Sequence, residues 1–433
     1  MCAVGGPGTA LVPGQGAAPP PRHVNRPPEI PFMHTRSSTQ HCPFDHAEAL
    51  EFDPTLQQFL DEEPVARVRL PYGEEEAWLV TGYDDVRTVT TDRRFSRSAV
   101  IGRDFPRMTP EPIVQAEAIN VMDPPVSSRL RRLVAKGFAP RQIARMRPRI
   151  QSAVDELLDG MERRPAAADL VERLTGPLPL LTICDILEIP AADQAGLRAH
   201  ARTMMDVGLD NRAAAVRAKA ELRAYFAELT ARRRADPGDD LISVLAAARD
   251  GDELLDDDEL AVMAMVLLIT GQDTTMYQLG NISFTLLTRP ALAAALRERP
   301  GELRRTLDEL LRLIPFRKGV GIPRVATEDV ELSGVTIRAG DMVHVSYLTA
   351  NRDARKFERP DELDTGRAGP PHMTFGWGSH HCLGAPLAQA EIEIAVGTLL
   401  RRFPKLTLAR PAGDVEWNRT SIWRYPLALP VTW

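Results

Sequence analysis

The most informative stretch of this chain reads Phe375-Gly376-Trp377-Gly378-Ser379-His380-His381-Cys382-Leu383-Gly384. Two close glycines precede the cysteine and a third follows it, which predicts a tight loop whose backbone approaches a large flat partner. A helix is predicted to begin just after Cys382, and its dipole and free N–H groups would stabilise a thiolate there. A thiolate on such a loop is the kind of ligand that holds haem iron.

Two other interpretations of this loop compete with the first. A lone cysteine is more often a buried free thiol near surface histidines, and the loop by itself leaves that possibility open. A zinc site at His380, His381 and Cys382 is excluded, because neighbouring residues cannot supply tetrahedral ligation and no second pair of ligands lies nearby.

The composition is globular, with 44% hydrophobic, 26% charged and 6% aromatic residues. A length of 433 residues at first suggests two or three domains. The net charge of −6 argues against nucleic acid as a partner, and the four cysteines lack the C-x-x-C spacing of a zinc finger. The apolar run 260–269 covers about half a bilayer and no signal peptide is evident, so we expect no membrane association and a cytoplasmic location.

The chain divides into a tail and one large domain. Residues 1–45 are rich in proline and glycine without periodic apolar residues, which predicts a flexible tail. No repeat or linker follows, so residues 46–433 are predicted to form a single domain. Strands are predicted at 65–70 and 77–81, followed by a helix capped by Asp84, and a small sheet at 325–346. Apolar spacing predicts helices at 128–137, 143–161, 191–207, 212–234, 240–248, about 30 residues from 256, and 385–402.

The cysteine loop resembles the haem-binding loop of the cytochrome P-450 family, Phe-Gly-x-Gly-x-His-x-Cys-x-Gly, at every defined position. Three further stretches resemble that family's motifs in order and spacing: Asp123-Pro124-Pro125 with Arg129-Leu130-Arg131-Arg132, Thr270-Gly271-Gln272-Asp273-Thr274-Thr275, and Glu309-Leu310-Leu311-Arg312. The resemblance covers about residue 47 to the end. It implies a mainly α protein with small β sheets, in the cytochrome P-450 fold, with haem b between the long central helix and the Cys-loop helix.

By the same resemblance, Cys382 would be the axial ligand of the haem iron, with Phe375, Gly376 and Gly384 shaping the loop against the haem. The two haem propionates require cations. The family positions that contact them correspond here to His380, Arg324 and Arg131. The family usually has a further histidine where this chain has Ser127, so one cationic contact is replaced by a neutral hydrogen-bond donor.

In the central helix, Thr274 would hydrogen-bond the activated oxygen and Asp273 would help deliver protons for O–O cleavage. Gly271 and Thr274 lie three residues apart on one helical face, which predicts room for a diatomic ligand beside the helix. A mid-helix threonine can also bond back to a carbonyl one turn earlier and locally open the helix.

The pair Glu309 and Arg312 would be structural and would lock the core near the haem. The family often adds an arginine from the segment before the cysteine loop. This chain has Glu362 at the position compared, which leaves the closure of the triad in doubt.

The resemblance implies an enzyme that uses O2 and external electrons, since the sequence has no flavin- or nicotinamide-binding half. Electrons would come from a ferredoxin and its reductase, docking on a basic face at Arg131, Arg132, Lys136 and Arg141. A peroxide-driven haem-thiolate enzyme and a non-enzymatic haem sensor of the same fold are the alternatives. A haem sensor would not need the Asp273–Thr274 pair, and a peroxide-driven enzyme would usually lack it.

The expected substrate is a small molecule of bacterial secondary metabolism. The candidate pocket residues are apolar and partly aromatic, which suits a moderately sized ligand: Met108, Met204, Met205, Thr270, Phe316 and Trp423. The Ser-containing start of the third helix, the Gly-Ile-Pro-Arg segment and the Pro-Val-Thr-Trp end resemble bacterial enzymes that oxidise cyclodipeptides. An aromatic cyclodipeptide, hydroxylated or oxidatively coupled, is therefore one hypothesis.

Overall fold

Helices carry most of the core in the computed structural model, which describes residues 44, 47–109, 116, 118–163, 167–205, 212–249, 251–419 and 421–433. The helices are α1 (Pro54–Glu62), α2 (Tyr83–Thr91), α3 (Val126–Ala135), α4 (Pro140–Glu162), α5 (Pro177–Ile186), α6 (Ala191–Met205), α7 (Arg212–Ala235), α8 (Leu241–Ala247), α9 (Asp257–Leu287), α10 (Pro290–Glu298), α11 (Leu303–Leu313), α12 (Tyr347–Ala350) and α13 (Ala385–Arg402). The predicted tail lies outside the described residues except for Phe44, which is fully buried and packs on Phe59.

The strands are short and form three small sheets. They are β1 (Val65–Val68), β2 (Ala77–Val80), β3 (Phe95–Ser96), β4 (Ala167–Asp169), β5 (Arg324–Ala326), β6 (Val330–Leu332), β7 (Val335–Ile337), β8 (Met342–Val345), β9 (Thr407–Leu408) and β10 (Pro430–Thr432). The orders are β1-β2-β8-β5-β3, β4-β10-β9 and β6-β7. The mainly α architecture with small sheets predicted from the sequence is thus confirmed, and the predicted sheet at 325–346 supplies β5 to β8.

The central helix α9 is the longest element and runs through the middle of the core. Asp256 caps it, accepting from the Glu259 N–H at 2.8 Å while the Glu259 carboxylate accepts from the Asp256 N–H at 3.0 Å. Such a capping box satisfies two backbone donors that a helix start leaves open. The helix is apolar enough to span a membrane by length and composition, but 67% of its apolar window is buried inside the protein. It is therefore a core helix.

Element ends differ from the predicted ones where proline or glycine decides them. Helix α2 begins at Tyr83 after Gly82, so Asp84 lies in its first turn and is not its cap. Helix α3 begins two residues before the predicted start, directly after Pro125. The segment at 207, predicted to end α6, lies outside the described residues.

One acidic side chain in the core has no counter-charge. Glu391 on α13 is 2% exposed, its Oε2 has no hydrogen-bond partner, and burial raises its pKa well above the ordinary value. A group whose pKa is higher in the folded than in the unfolded state stabilises the fold fully only when the pH is below its unfolded-state pKa. That contribution to the free energy of unfolding is lost as the pH rises through the folded-state pKa.

Replacing Glu391 by methionine should therefore raise the free energy of unfolding at pH 8 by about 1–3 kcal/mol, since it removes an unsatisfied buried group. The gain should shrink as pH falls toward 5, because the unfolded chain then also begins to bind the proton that the folded state holds. Urea unfolding at both pH values measures this. Glu393→Met is the control, because Glu393 pairs with Arg147 at 3.2 Å and should give no such gain. A gain independent of pH would contradict the explanation.

Candidate active site

The loop before Cys382 depends on two glycines with left-handed backbone. Gly376 has φ +77° and Gly378 has φ +67°, which glycine adopts without steric cost. A Cβ on Gly378 would overlap the carbonyl oxygen of Thr90 on α2. The absence of a side chain at this second glycine thus allows a close approach to helix α2, and the approach of the loop to a flat partner stays a prediction.

Cys382 lies between this loop and the start of α13. Its N–H donates to the Phe375 carbonyl at 2.8 Å, which closes the loop. Part of the Cys382 side chain is exposed, and protein atoms surround the rest of it. Burial raises the pKa of the thiol, while the N–H groups of Gly384 and Ala385 and the charge of Arg131 act in the opposite direction. A coordinating metal ion deprotonates a thiol outright, so the raised pKa does not oppose iron ligation.

Buried cations lie beside the loop. Arg324, at the start of β5, is 1% exposed. Strands β3 and β5 are antiparallel with Ser96 opposite Val325, and Arg97 directly follows β3 while Arg324 begins β5. Burial and the Arg324 charge lower the pKa of the Arg97 guanidinium to about 9. Like charges near each other are destabilising, so this pair needs an anion.

The donors in this region are also unsatisfied. The buried atoms without a hydrogen-bond partner among the described residues include Arg324 Nη1 and Nη2, Arg97 Nε, His380 Nδ1 and Ser127 Oγ. Each buried donor that lacks a hydrogen bond costs about 1–3 kcal/mol of stability. A ligand with two carboxylates satisfies both the charge and the donors, and the two haem propionates are such a ligand.

The structure adds one residue to the candidate propionate contacts and gives another of them a different contact. Burial and the charges of Arg97 and Arg324 lower the pKa of the His380 imidazole to about 3, so His380 lies near both arginines, and its contact with a propionate stays a prediction. Arg97 was missed because no motif contains it, and only the β3–β5 pairing reveals it. Arg131 donates to the His381 carbonyl next to Cys382, so it braces the loop.

The central helix presents two threonines on one face. Thr270 is exposed although its neighbours on α9 are buried. Its Oγ1 donates to the Val266 carbonyl at 2.8 Å, and the Thr274 Oγ1 donates to the Thr270 carbonyl at 3.0 Å. The helix nevertheless continues unbroken from Asp257 to Leu287, so the expected opening is not seen. A Cβ on Gly271 would lie 3.5 Å from Ile183, an ordinary van der Waals contact with α5, so room for a diatomic ligand at this position stays a prediction.

Asp273 lies near two arginines of α6. Burial raises the pKa of its carboxyl, while the charges of Arg202 and Arg198 on α6 act against that rise. Gln272 donates to its Oδ1 at 3.3 Å. An acid held between core and arginines can take up a proton from the outer side and release it toward the helix. The two arginines were not predicted, although their i, i+4 spacing placed both on one face of α6.

Glu309 and Arg312 form a bidentate pair, with Nε–Oε2 and Nη2–Oε1 distances of 2.8 Å. The third partner is Arg367, whose Nε donates to Glu309 Oε1 at 2.9 Å. The doubt that Glu362 raised about the closure of the triad is thereby removed. Its carboxylate pairs with Arg359 at the surface, while its carbonyl accepts from Arg367 at 2.9 Å.

The pocket candidates fall into separate groups. Phe316 and Trp423 are stacked, with ring centroids 5.4 Å apart. Met204 packs on the main core, and Met108 on a smaller cluster that contains Phe44. Met205 ends α6, and its side chain is outside what the structure describes.

Comparison with known proteins decides the family. Residues 302–411 match the family model for cytochrome P450. The nocardicin C N-oxygenase of Nocardia uniformis subsp. tsuyamanensis is 44% identical over 400 residues, which are 92% of this chain and 100% of that protein. The chain belongs to the cytochrome P450 family.

Two further relatives concern aromatic products. The biflaviolin synthase of Streptomyces coelicolor is 42% identical over 88% of this cytochrome P450 and 93% of its own length. A crystal structure described as cytochrome P450mel 107F1 with biaryl coupling reactivity is 72% identical. It covers 90% of this chain and 99% of its own, with a TM-score of 0.86.

The family assignment makes this chain an oxidoreductase with haem b as its cofactor. Its relatives are enzymes of secondary metabolism. Haem supplies one-electron and dioxygen chemistry when bound. The haem-sensor alternative is set aside, because the relatives are named as enzymes.

Loss of the third triad partner should destabilise this cytochrome P450. Arg367→Ala leaves the buried Glu309 carboxylate under-paired, which costs about 3–5 kcal/mol, and haem retention should fall with stability. Urea unfolding and the haem-to-protein ratio measure both. Arg359→Ala is the control: its pair with Glu362 is 61% and 60% exposed, so about 1 kcal/mol or less is expected. Equal losses in the two variants would contradict the role of Arg367.

Proposed function

We propose that this cytochrome P450 joins two electron-rich aromatic rings through a new C–C bond. The observation that carries the proposal is the 72% identity to a structure described as having biaryl coupling reactivity. The stacked Phe316 and Trp423 rings support it, since they offer a rigid aromatic surface at the positions expected to line the pocket.

The proposed roles of the residues follow from their surroundings. Cys382 binds the haem iron as thiolate, and the propionates are held by Arg97, Arg324 and His380, with Arg97 replacing the cation that Ser127 lacks. Ser127 Oγ, buried without a partner, donates the neutral hydrogen bond. Thr270 and Thr274 share one face of α9 and would position the dioxygen that haem binds, and Asp273 would supply protons from the α6 side.

The overall reaction balances with external electrons. Two aromatic molecules each lose one hydrogen atom, and the C–C bond forms between the two rings. One O2 takes up these two hydrogen atoms together with two electrons and two protons from outside, which gives two molecules of water. A ferredoxin with its reductase is the proposed donor, in the cytoplasm. Arg132, Lys136 and Arg141 are exposed for docking, whereas Arg131 is half-buried at the Cys loop.

Isotope labelling distinguishes coupling from hydroxylation. The haem-loaded protein is supplied with ferredoxin, reductase, NADPH, 18O2 and 2-naphthol, and the products are analysed by mass spectrometry. A dimer of twice the substrate mass less two hydrogens, free of 18O, supports coupling. A monomer carrying one 18O atom would overturn it. Supplying Trp- and Tyr-containing cyclodipeptides in parallel tests the cyclodipeptide hypothesis, which a lack of substrate-type haem shift would remove.

Replacing Thr274 by alanine should uncouple electron use from product formation. Removal of this positioned hydroxyl is expected to lower product formed per electron roughly tenfold or more. NADPH oxidation and product yield, measured together, give the ratio. Thr285→Ala is the matched control, because Thr285 makes the same back-bond at 2.8 Å on α9 but lies in the core. An unchanged ratio in Thr274→Ala would point to the peroxide-driven alternative.

A further inference from the structure

Four aromatic rings, here called the aromatic wall, connect the central helix to the C-terminal loop. Phe316 stacks on Trp423 at 5.4 Å and 22°, Trp423 lies 6.0 Å from Tyr277, and Tyr277 stacks on Tyr425 at 4.0 Å and 16°. Tyr277 follows Asp273 by one turn of α9. Burial raises the pKa of the Tyr277 hydroxyl, and the Asp273 charge adds to the rise. The aromatic wall therefore lies beside the proposed proton donor.

Arg317 adds a cation to this wall. Its guanidinium carbon lies 4.9 Å from the centroid of the Trp423 ring, and Nη2 donates to the Val320 carbonyl at 3.0 Å. Its Nε is buried without a hydrogen-bond partner. Burial lowers the pKa of the guanidinium to about 10, with the Tyr347 hydroxyl as the group that acts against the shift. No carboxylate pairs with Arg317 within the part of the chain that the structure describes.

A partly buried cation without a carboxylate partner among the described residues favours an anionic ligand. Burying an unpaired charge is costly, and the nearby Arg97 increases the excess of positive charge, since Arg317 contributes to the lowered pKa of Arg97. The propionates already have two cationic contacts in Arg97 and Arg324, and His380 offers them a neutral hydrogen bond, since burial and the two arginine charges lower its pKa to about 3. Arg317 is directed to the aromatic wall instead, where the proposed function places an aromatic substrate.

We propose that Arg317 binds the ionised hydroxyl group of an aromatic substrate, a phenolate, whose ring lies beside the aromatic wall. This inference rests on the proposed coupling function. A cation within about 4–6 Å lowers the pKa of an acidic group by roughly 1–3 units, so Arg317 would favour ionisation of the bound hydroxyl. A phenolate loses an electron more readily than a phenol. Arg317 would thus select phenols and prepare the ring for the one-electron oxidation that coupling requires.

The test is calorimetric titration of the haem-loaded protein with 4-nitrophenol, 4-nitroanisole and 4-nitrobenzoate. The first ionises near neutral pH, the second cannot ionise, and the third is a carboxylate. We expect the wild-type protein to prefer 4-nitrophenol, increasingly so as pH rises through the ionisation of this phenol. Arg317→Gln should weaken 4-nitrophenol binding roughly ten- to a hundredfold, as for loss of a charge-assisted hydrogen bond, and leave 4-nitroanisole unchanged. Arg317→Lys should recover part of the loss.

Several outcomes would overturn the inference. One is a wild-type protein without preference for 4-nitrophenol over 4-nitroanisole. Another is an Arg317→Gln variant that weakens both ligands equally, or one that loses haem instead, which would make Arg317 a propionate contact. A stronger Arg317-dependent preference for 4-nitrobenzoate would exclude the phenolate. The comparison within each variant remains informative even if stability changes.

The two proposals fail separately. If 4-nitrophenol binding depends on Arg317 but 2-naphthol gives only an 18O-labelled monomer, the coupling function fails and the role of Arg317 stands. If 2-naphthol gives the unlabelled dimer while Arg317→Gln leaves 4-nitrophenol affinity unchanged, coupling stands and the role of Arg317 fails.

Discussion

Replacing Cys382 by serine is expected to abolish the far red-shifted Soret band of the ferrous–CO complex and to remove all O2-dependent turnover. The thiolate is the electron-rich axial ligand that favours O–O cleavage, and a serine hydroxyl does not supply that electron density. The CO difference spectrum of the reduced protein measures the loss, and product formation under saturating ferredoxin follows it.

The matched control is Cys184→Ala, the other cysteine within the described residues. Cys184 is fully buried in the apolar core, where burial raises the pKa of its thiol to about 12. A thiol that stays protonated is a poor ligand, so this variant should keep the red-shifted band. A red-shifted band that persists in Cys382→Ser would exclude Cys382 as the iron ligand.

Replacing Asp273 by asparagine should lower the rate of product formation roughly hundredfold, within the range that general acid catalysis contributes. Burial raises the pKa of the Asp273 carboxyl, so its protonated form is populated closer to neutral pH than that of an exposed aspartate. Asparagine keeps the shape and carries no transferable acidic proton. Steady-state turnover with excess reduced ferredoxin, together with a larger solvent isotope effect, measures the loss.

Asp258→Asn provides the control for the same chemical change on the same helix. Asp258 pairs with Arg223 at 2.6 Å, and its side chain is 67% exposed, so turnover should stay near the wild-type rate. A full rate in Asp273→Asn would show that protons reach the oxygen without this carboxyl. Equal losses in both variants would indicate a general effect on α9.

The resemblance in four ordered motifs was enough to predict the family and the mainly α fold. The Cys loop and the Glu309–Arg312 pair are contacts between residues close in sequence, so the spacing alone indicates them. Helix periodicity predicted α13 with the same bounds that the structure shows, Ala385–Arg402. Positive φ angles at Gly376 and Gly378 agree with the predicted tight loop, because glycine is the residue that tolerates them.

Contacts between residues distant in the chain could not be predicted in this way. An arginine on a solvated surface and one in a buried cluster have the same local sequence, and only packing distinguishes them. The pairing of β3 and β5 brings Arg97 near Arg324, the loop after Pro360 brings Arg367 to Glu309, and α6 brings Arg198 and Arg202 to Asp273.

The sequence by itself therefore determined the cofactor class, the fold and the residue types at the centre. Those follow from short segments whose backbone geometry and ligand chemistry are local. The tertiary structure decided which charges surround that centre and which of them, like Arg317, have no carboxylate partner among the residues that the structure describes. The energy of a buried charge depends on every neighbour that replaces its water, and those neighbours are assembled only when the chain folds.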